Sequence, residues 1–550
     1  MGAFEVYGRM RPKHIWVGYW LVLFGTLFSV GLTAVDLFDL DELYFAEITR
    51  EMMDSGTYSQ VRFHFEPLYE KPPLFFWMQA ASMHVWGINA WGARFPNLIG
   101  GLLTLLTLYG IGKRYANKNF GILWMFLHFG AFLPHFYVKS GIIDPWFNYF
   151  LLCSIWFLVR ARSASPLLPC LGAGICIGLA LLTKGPMALV IPCASMLLAN
   201  GLGRYPLKIK PLLGSSLCAC FVAALWLLPE IKQHGWTFVH KFLEYHLVLY
   251  ACFTDTHTHP WYYHCVVLFW GCFPSSLFAI AYFIQNSWRP SSYFVAAMQA
   301  LFCVVLILFT AVGTKIVHYS SMAYFPITFF AVRLFQGAVD YNMKISLLIR
   351  FCWLFCGLVV GSFLLLFPWI MHHKELWIGC VKHENVVYAL ALPISWTCGD
   401  GIPGMAYLVG LGISFAFFIR KHWLAFVWTS MGTQAGALTL FLLQVGPKIQ
   451  QYVQKDMVDF CKELRHKDVY LTTIGFKAAA PLFYTHRTAA TCLKEKDTSW
   501  LLTGAIDKPC FFIAYKSDEG FFEPYTDVVR IREAGCFVFY QRSPTHVASV

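Results

Sequence analysis

Apolar runs of bilayer length recur along most of this chain, and they constrain its fold more than any other feature. A backbone in hydrocarbon must satisfy every N–H and C=O internally, so a run of about 20 apolar residues crosses as a helix. Such runs stand near 14–35, 92–112, 120–137, 142–160, 168–183, 186–203, 211–229, 263–285, 294–313, 318–336, 346–370, 403–420 and 424–445. They predict a polytopic α-helical membrane protein with about 13 transmembrane helices. The stretch 74–90 is apolar but short, and reads as an interfacial helix. Composition agrees: 13% of residues are charged, against roughly 25% in soluble domains.

Charge then sets orientation. The net charge of +12 reflects basic loops rather than a nucleic-acid surface, and no nucleic-acid-binding motif accompanies it. Basic clusters at Lys113/Arg114/Lys118, Arg160/Arg162, Arg204/Lys208/Lys210, Arg333/Lys344 and Arg420/Lys421 fall on alternate loops, which predicts that those loops are cytoplasmic. Arg9, Arg11 and Lys13 precede the first run and place the N-terminus on the same side. That run is too long for a cleaved signal peptide, and no small-residue cleavage site follows it. An odd number of spans puts the chain after Pro447 outside.

The tail differs in texture. Ile449 to Leu464 reads as an amphipathic helix, "DVYLTTIG" and "CFFIAYK" as buried strands, and "VVRIREAGCFVFYQR" as two strands around a turn. We therefore expect a transmembrane domain over 1–446, with its first outer loop at 36–91, and a small α/β domain over 447–550. Most of the 18 cysteines lie in apolar helices, where they act as small hydrophobes. Cys461, Cys492, Cys510 and Cys536 lie in the tail and could pair in an oxidising compartment, with three connectivities open.

The chain has 30 acidic residues in 550, yet Asp36, Asp39, Asp41, Glu42, Glu47, Glu51 and Asp54 crowd into one segment after the first run. Asp39 with Glu42 three residues on resembles a capping box, and Phe45, Ile48 and Met52 form one stripe. A capped helix on the membrane surface explains one or two of these acids. It does not explain Asp144, at the outer start of another apolar helix, where a polar group is a functional hypothesis by default. The outer face also carries single lysines at helix junctions: Lys71, Lys139, Lys184 and Lys315. Each alone fits a snorkelling anchor. Four on one face favour a shared anionic ligand, and a phosphate at membrane depth suggests a lipid phosphate. "THTHPWYYH" invites a metal reading through His257, His259 and His264, but helical spacing does not place all three on one face.

In the order "DLDELYFAEITREM", "LYEKPPLFFW", "GARFPN", "SGIIDPWFNYF", "LLTKGP", "THPWYYH" and "TKIVHYSSMAYFP", the chain resembles the GT-C glycosyltransferases, specifically the bacterial ArnT-like branch, with a more distant similarity to protein O-mannosyltransferases. The resemblance covers most of residues 14–340. It implies a GT-C fold with a periplasmic C-terminal domain in a bacterial inner membrane. It also implies an inverting transfer of a sugar from a polyprenyl-phosphate donor to lipid A or another envelope glycan. Carried over by position, Asp41 and Glu42 are the expected catalytic acids. Lys71, Lys315 and Tyr319 are expected at the donor phosphate, and Glu70, Asp144, Lys184 and His259 around the sugar or acceptor. A divalent metal ion, if the chain carries one, is expected at Glu70; no other cofactor is implied. One departure is that Tyr44-Phe45 stands where many relatives have Arg-Tyr. A protein acceptor is the alternative. A lipid-linked sugar transporter is a third reading, but such transporters show paired repeats, and the acidic loop here has no second copy.

Overall fold

The structure is a computed structural model that describes residues 15–162, 166–251, 259–286, 288–340, 343–495 and 497–544. Arg9, Arg11, Lys13 and His257 lie outside the described residues. Every expected span falls on helix. Eight described helices are long and apolar enough to cross a membrane, or ten if two bent pairs each count as one span. The other expected spans, 14–35, 142–160 and 186–203, fall on the shorter helices Ile15–Ser29, Asp144–Arg160 and Met187–Gly203. The bent pairs correct the reading of 120–137 and 263–285 as single rods. Lys118–Phe129 and Phe132–Val138 meet at 75°, and Tyr263–Gly271 and Ser275–Gln285 at 108°. Pro274 precedes the second half of the latter and has no N–H to continue a helix.

Acids and bases mark opposite ends of the bundle. Helix Ala90–Tyr115 has Lys113 and Arg114 in its last turn, and helix Asp144–Arg160 begins on an acid and ends on a base. At the acidic end sits helix Asp41–Ser55, which is not a surface helix: ten of its fifteen residues are buried. Phe45, Ile48 and Met52 form the expected inner stripe, with Phe45 against Phe75 and Phe76 of helix Leu74–Trp86. Gln79 ties that pair to the bundle, accepting from the Thr49 hydroxyl at 2.6 Å and donating to Ala93 O at 3.0 Å.

Asp39 does not cap this helix. Leu40 occupies the N-cap, and the Asp39 carboxylate instead accepts from Ala479 N at 2.8 Å in the C-terminal unit. Asp36 is bound the same way, to Lys462 at 2.6 Å and Lys455 at 3.3 Å. Gln454 accepts from Asp39 N and donates to Leu37 O. Its backbone breaks the expected single helix into Gly446–Val453 and Lys455–Glu463. Beyond them lies a small four-stranded sheet in the order Tyr470–Ile474, Cys510–Tyr515, Phe537–Arg542, Val528–Ala534. The first pair is parallel and the others antiparallel. The four tail cysteines are buried and unpaired. The C-terminal unit therefore docks on the acidic end of the bundle.

Glu42 joins these parts. Its carboxylate takes two bonds from Arg94, each 2.7 Å, and accepts from Gly141 N at 2.7 Å and Phe38 N at 3.1 Å. Burial raises the Glu42 carboxyl, but Arg94 and the two amides outweigh it and hold it below the ordinary glutamate value. Removing one partner of a buried pair costs about 3–5 kcal/mol, because the other charge is stranded. Glu42→Ala and Arg94→Ala should each lower the thermal midpoint of the purified protein sharply. Unchanged melting in either variant would show that the pair does not hold the fold.

Candidate functional site

Three short elements meet beside Asp144. The loop before it is pinned twice: Asn97 donates to Ser140 O at 2.5 Å and Ile142 O at 2.7 Å, and Gly141 N is held by Glu42. Asp144 then opens its helix with Pro145 behind it, where a carboxylate gains from the helix dipole. Lys184 closes helix Leu167–Lys184, the end that favours a cation. Gly185 follows with φ +83°, and a Cβ there would lie 2.7 Å from the His246 ring, so the turn requires glycine. The third element is the 3₁₀ segment Val317–Ala323, fixed by Asn148 donating to Ser321 at 2.8 Å and by Ser320 facing His264 at 3.1 Å.

The charged groups these elements bring together form one cluster. Lys184 Nζ donates to Asp144 Oδ1 at 2.5 Å and stands 5.1 Å from the Tyr319 ring centroid. His318 Nε2 lies 3.6 Å from Asp41 Oδ2 and 3.8 Å from Asp144 Oδ2. Lys71 Nζ pairs with Glu70 Oε1 at 2.7 Å, and its charge reaches Asp144 and His318. Lys71, Asp144, Lys184, His246 and Tyr319 line one small cavity. Tyr44 and Tyr245 both hydrogen-bond Glu70, and burial first, then the Glu70 charge, pushes both phenols up. Asp41 is the open member, its side chain 48% exposed against 6% for Asp144.

Expected residues therefore sort into two groups. Asp41, Glu70, Lys71, Asp144, Lys184 and Tyr319 come together. Glu42 does not join them as a catalytic acid: all its accepting capacity faces Arg94 and backbone amides. Lys315 is not at the cavity; it is buried and donates to Val312 O at 3.3 Å. His259 is exposed and stacks on Tyr263, with centroids 4.4 Å apart. Lys139 leaves the lysine set, because its amine donates to Leu27 O and Val30 O, each 2.6 Å, at the end of helix Ile15–Ser29. His318 was missed. Its only signal was its place between Lys315 and Tyr319, one residue from a predicted site position.

Around Glu70 stand Lys71, Tyr44 and Tyr245, with the His246 ring near enough to feel its charge; among the described residues no three His, Cys, Asp or Glu side chains are arranged around a common centre.

The fold matches that of ArnT from Cupriavidus metallidurans, solved with undecaprenyl phosphate, at a TM-score of 0.75, covering 97% of this chain and 100% of that one at 14% identity. The chain therefore has the ArnT fold. An Archaeoglobus fulgidus oligosaccharyltransferase is a more distant structural match, with a TM-score of 0.51, 12% identity, and coverage of 86% of this chain and 64% of that one. Residues 70–227 match the family model described as dolichyl-phosphate-mannose-protein mannosyltransferase. A curated relative from Pseudomonas fluorescens, undecaprenyl phosphate-alpha-4-amino-4-deoxy-L-arabinose arabinosyl transferase 2, is 28% identical over 282 residues, covering 49% of this chain and 47% of that one. The chain thus spans about half the length of the curated relatives it matches.

Close to the cluster around Asp144, Glu51 holds the loop that leads to Glu70. It accepts from Phe65 N at 2.7 Å, beside His64 and Phe65, which both have positive φ. Burial, then the charge of Glu47, pushes the Glu51 carboxyl from 4.5 up to about 8. A raised carboxyl favours folding fully below its unfolded value, and that contribution is lost as pH rises through the folded one. Glu51→Gln should thus match the wild type in melting temperature at about pH 5. At about pH 9 it should melt higher than the wild type, reflecting a stability gain on the order of a few kcal/mol. Parallel melting curves against pH would refute a raised Glu51.

Proposed function

We propose that the protein is an integral-membrane glycosyltransferase that moves a sugar from a polyprenyl-phosphate donor to an envelope acceptor, lipid A or another glycan, at the periplasmic face of a bacterial inner membrane. The observation that carries this reading is the convergence of Asp41, His318, Asp144, Lys184 and Lys71 at one end of an ArnT-like bundle. The relatives' names supply the donor class: the Pseudomonas fluorescens enzyme is named for an undecaprenyl-phosphate sugar.

The chemistry follows from the charges. Breaking the bond between sugar and lipid phosphate leaves negative charge on the departing oxygen, and fixed cations aimed there stabilise that charge as it develops. Lys71 and Lys184 are those cations. Each is held by a carboxylate at rest, so the donor phosphate takes over a lysine already oriented. Asp41, the exposed acid, faces the acceptor. It accepts the proton of a hydroxyl nucleophile; for a phosphate acceptor, which needs no strong base, it orients. His318 sits between Asp41 and Asp144 and, when protonated, keeps the two carboxylates from repelling each other.

The match of residues 70–227 to protein mannosyltransferases favours a second reading, a protein acceptor gripped with the help of the C-terminal unit. A transporter fits less well, because the polar groups gather at one membrane face instead of at mid-depth.

The test is transfer in membranes, read by mass spectrometry of lipid A, total glycolipid and protein fractions. Asp41→Asn should cut transfer by about 10²–10⁴-fold at equal expression. Lys71→Met should weaken donor use more than acceptor use. A sugar-sized mass on protein alone would select the second reading. Full transfer by Asp41→Asn would remove Asp41 from the chemistry.

A further inference from the structure

The opposite end of the bundle carries a cation without an acid. Arg333 lies on helix Tyr324–Asp340, and its guanidinium donates to Tyr115 Oη, to Tyr282 Oη at 3.2 Å and to Ser291 Oγ at 3.3 Å. Its partners are hydroxyls, and among the described residues no carboxylate pairs with it. It opens onto a polar cavity of about 410 Å³ that Asn286, Ser292 and Gln336 also line. Tyr115 ends helix Ala90–Tyr115, whose other end holds Arg94. At 1.5 Å per residue the two ends stand about 39 Å apart, so this cavity and the candidate site face opposite sides of the membrane. Lys113 and Arg114, on the same last turn, are exposed.

Beside the cavity runs an apolar groove of about 400 Å³, lined by residues including Leu268, Ile280, Phe283, Trp288, Leu306 and Phe330. The two meet at a ring pair: Tyr282 of the cavity stacks on Phe330 of the groove with centroids 5.5 Å apart. The groove follows the bent pair Tyr263–Gly271 and Ser275–Gln285, whose 108° bend keeps it from packing as one rod. Its rim residues Ile280, Ile284 and Trp288 are exposed at 45%, 72% and 46%. In a bilayer those residues face acyl chains, and Trp288 has the character of an interfacial anchor.

We infer that Arg333 and the adjoining groove hold one anionic phospholipid, with its phosphate on the guanidinium and an acyl chain along the groove. A guanidinium with hydroxyls around it presents several donors to phosphate oxygens, and Arg binds phosphate in a fixed fork. A lone cation in a polar cavity explains the headgroup; the contiguous groove explains why the ligand is a lipid and not a free anion. The site is independent of the transfer reaction, and neither proposal depends on the other.

The test uses the full chain in detergent exchanged into lipid of defined composition, with native mass spectrometry counting retained lipid. Wild type should keep one phosphatidylglycerol in preference to phosphatidylcholine. Arg333→Met should lose that preference by about tenfold, with Arg333→Lys intermediate. Ile280→Trp, which fills the groove and leaves the cation, should lose it as well. Melting temperature separates lost binding from lost folding: a variant that melts like wild type and releases the lipid supports the site. Equal retention of the two lipids by wild type would overturn it, as would retention unchanged in Arg333→Met. Displacement by millimolar inorganic phosphate, or an unaffected Ile280→Trp, would show a headgroup-only anion site and overturn the lipid assignment.

Discussion

Everything at the acidic end hangs on the pair between Arg94 and Glu42. An arginine has five N–H donors, and all are spent: two on Glu42, two through Nη1 on Leu32 O and Val35 O, and one through Nη2 on Asp36 O. Glu42 in turn fills its remaining capacity with Phe38 N and Gly141 N. Burying two charges costs several kcal/mol per ion unless geometry and extra hydrogen bonds repay it, and here every donor and acceptor has a partner. The pair fixes three chain segments at once: the exit from the first span, the start of helix Asp41–Ser55 and the loop before Asp144. Asp41 is the residue before Glu42 and Asp144 lies three beyond Gly141, so the distance between these two carboxylates is set by the pair. His318 then bridges a gap that the scaffold, not the histidine, defines.

That arrangement also explains how a membrane protein keeps so many ionised groups at one face. Unpaired charges at membrane depth are costly. In the cluster, three carboxylates (Asp41, Glu70, Asp144) face two ammonium groups (Lys71, Lys184) and one imidazole (His318). On the proposed function, an arriving phosphate would add negative charge, which Lys71 and Lys184 would meet by changing partners. Low surrounding dielectric strengthens the resting pairs and any that replace them.

Hydropathy alone made the bundle legible, because the need to satisfy backbone groups in lipid is local to each segment. The strands at 470–474 and 510–515 were readable for a similar reason: each is a short apolar, β-branched and aromatic run bounded by turn residues. Long-range partnerships were not. Nothing near Glu42 in the chain says that Arg94, 52 residues later, will pair with it. Lys139 reads like Lys184 in sequence, yet one meets backbone carbonyls and the other a carboxylate. Asp39 looked like a cap because the spacing to Glu42 is right, but both side chains had stronger claims elsewhere, on Ala479 N and Arg94. The answer to why seven acids crowd one segment is that they divide labour: Asp36 and Asp39 hold the C-terminal unit, Glu42 holds the bundle, Glu47 and Asp54 pair with Arg50, Glu51 holds the next loop, and Asp41 is left open.

The docking of the C-terminal unit bears on what reaches Asp41. Asp36 and Asp39 fasten that unit through Lys455, Lys462 and the Ala479 amide, within five residues of the open carboxylate. Surface ion pairs alone are worth little, but these are joined by Gln450 and Gln454 on the backbone of residues 36–39 and by the buried Leu37 and Leu43 packing into the unit's core. The unit is thus a fixed wall beside Asp41 and not a tethered appendage.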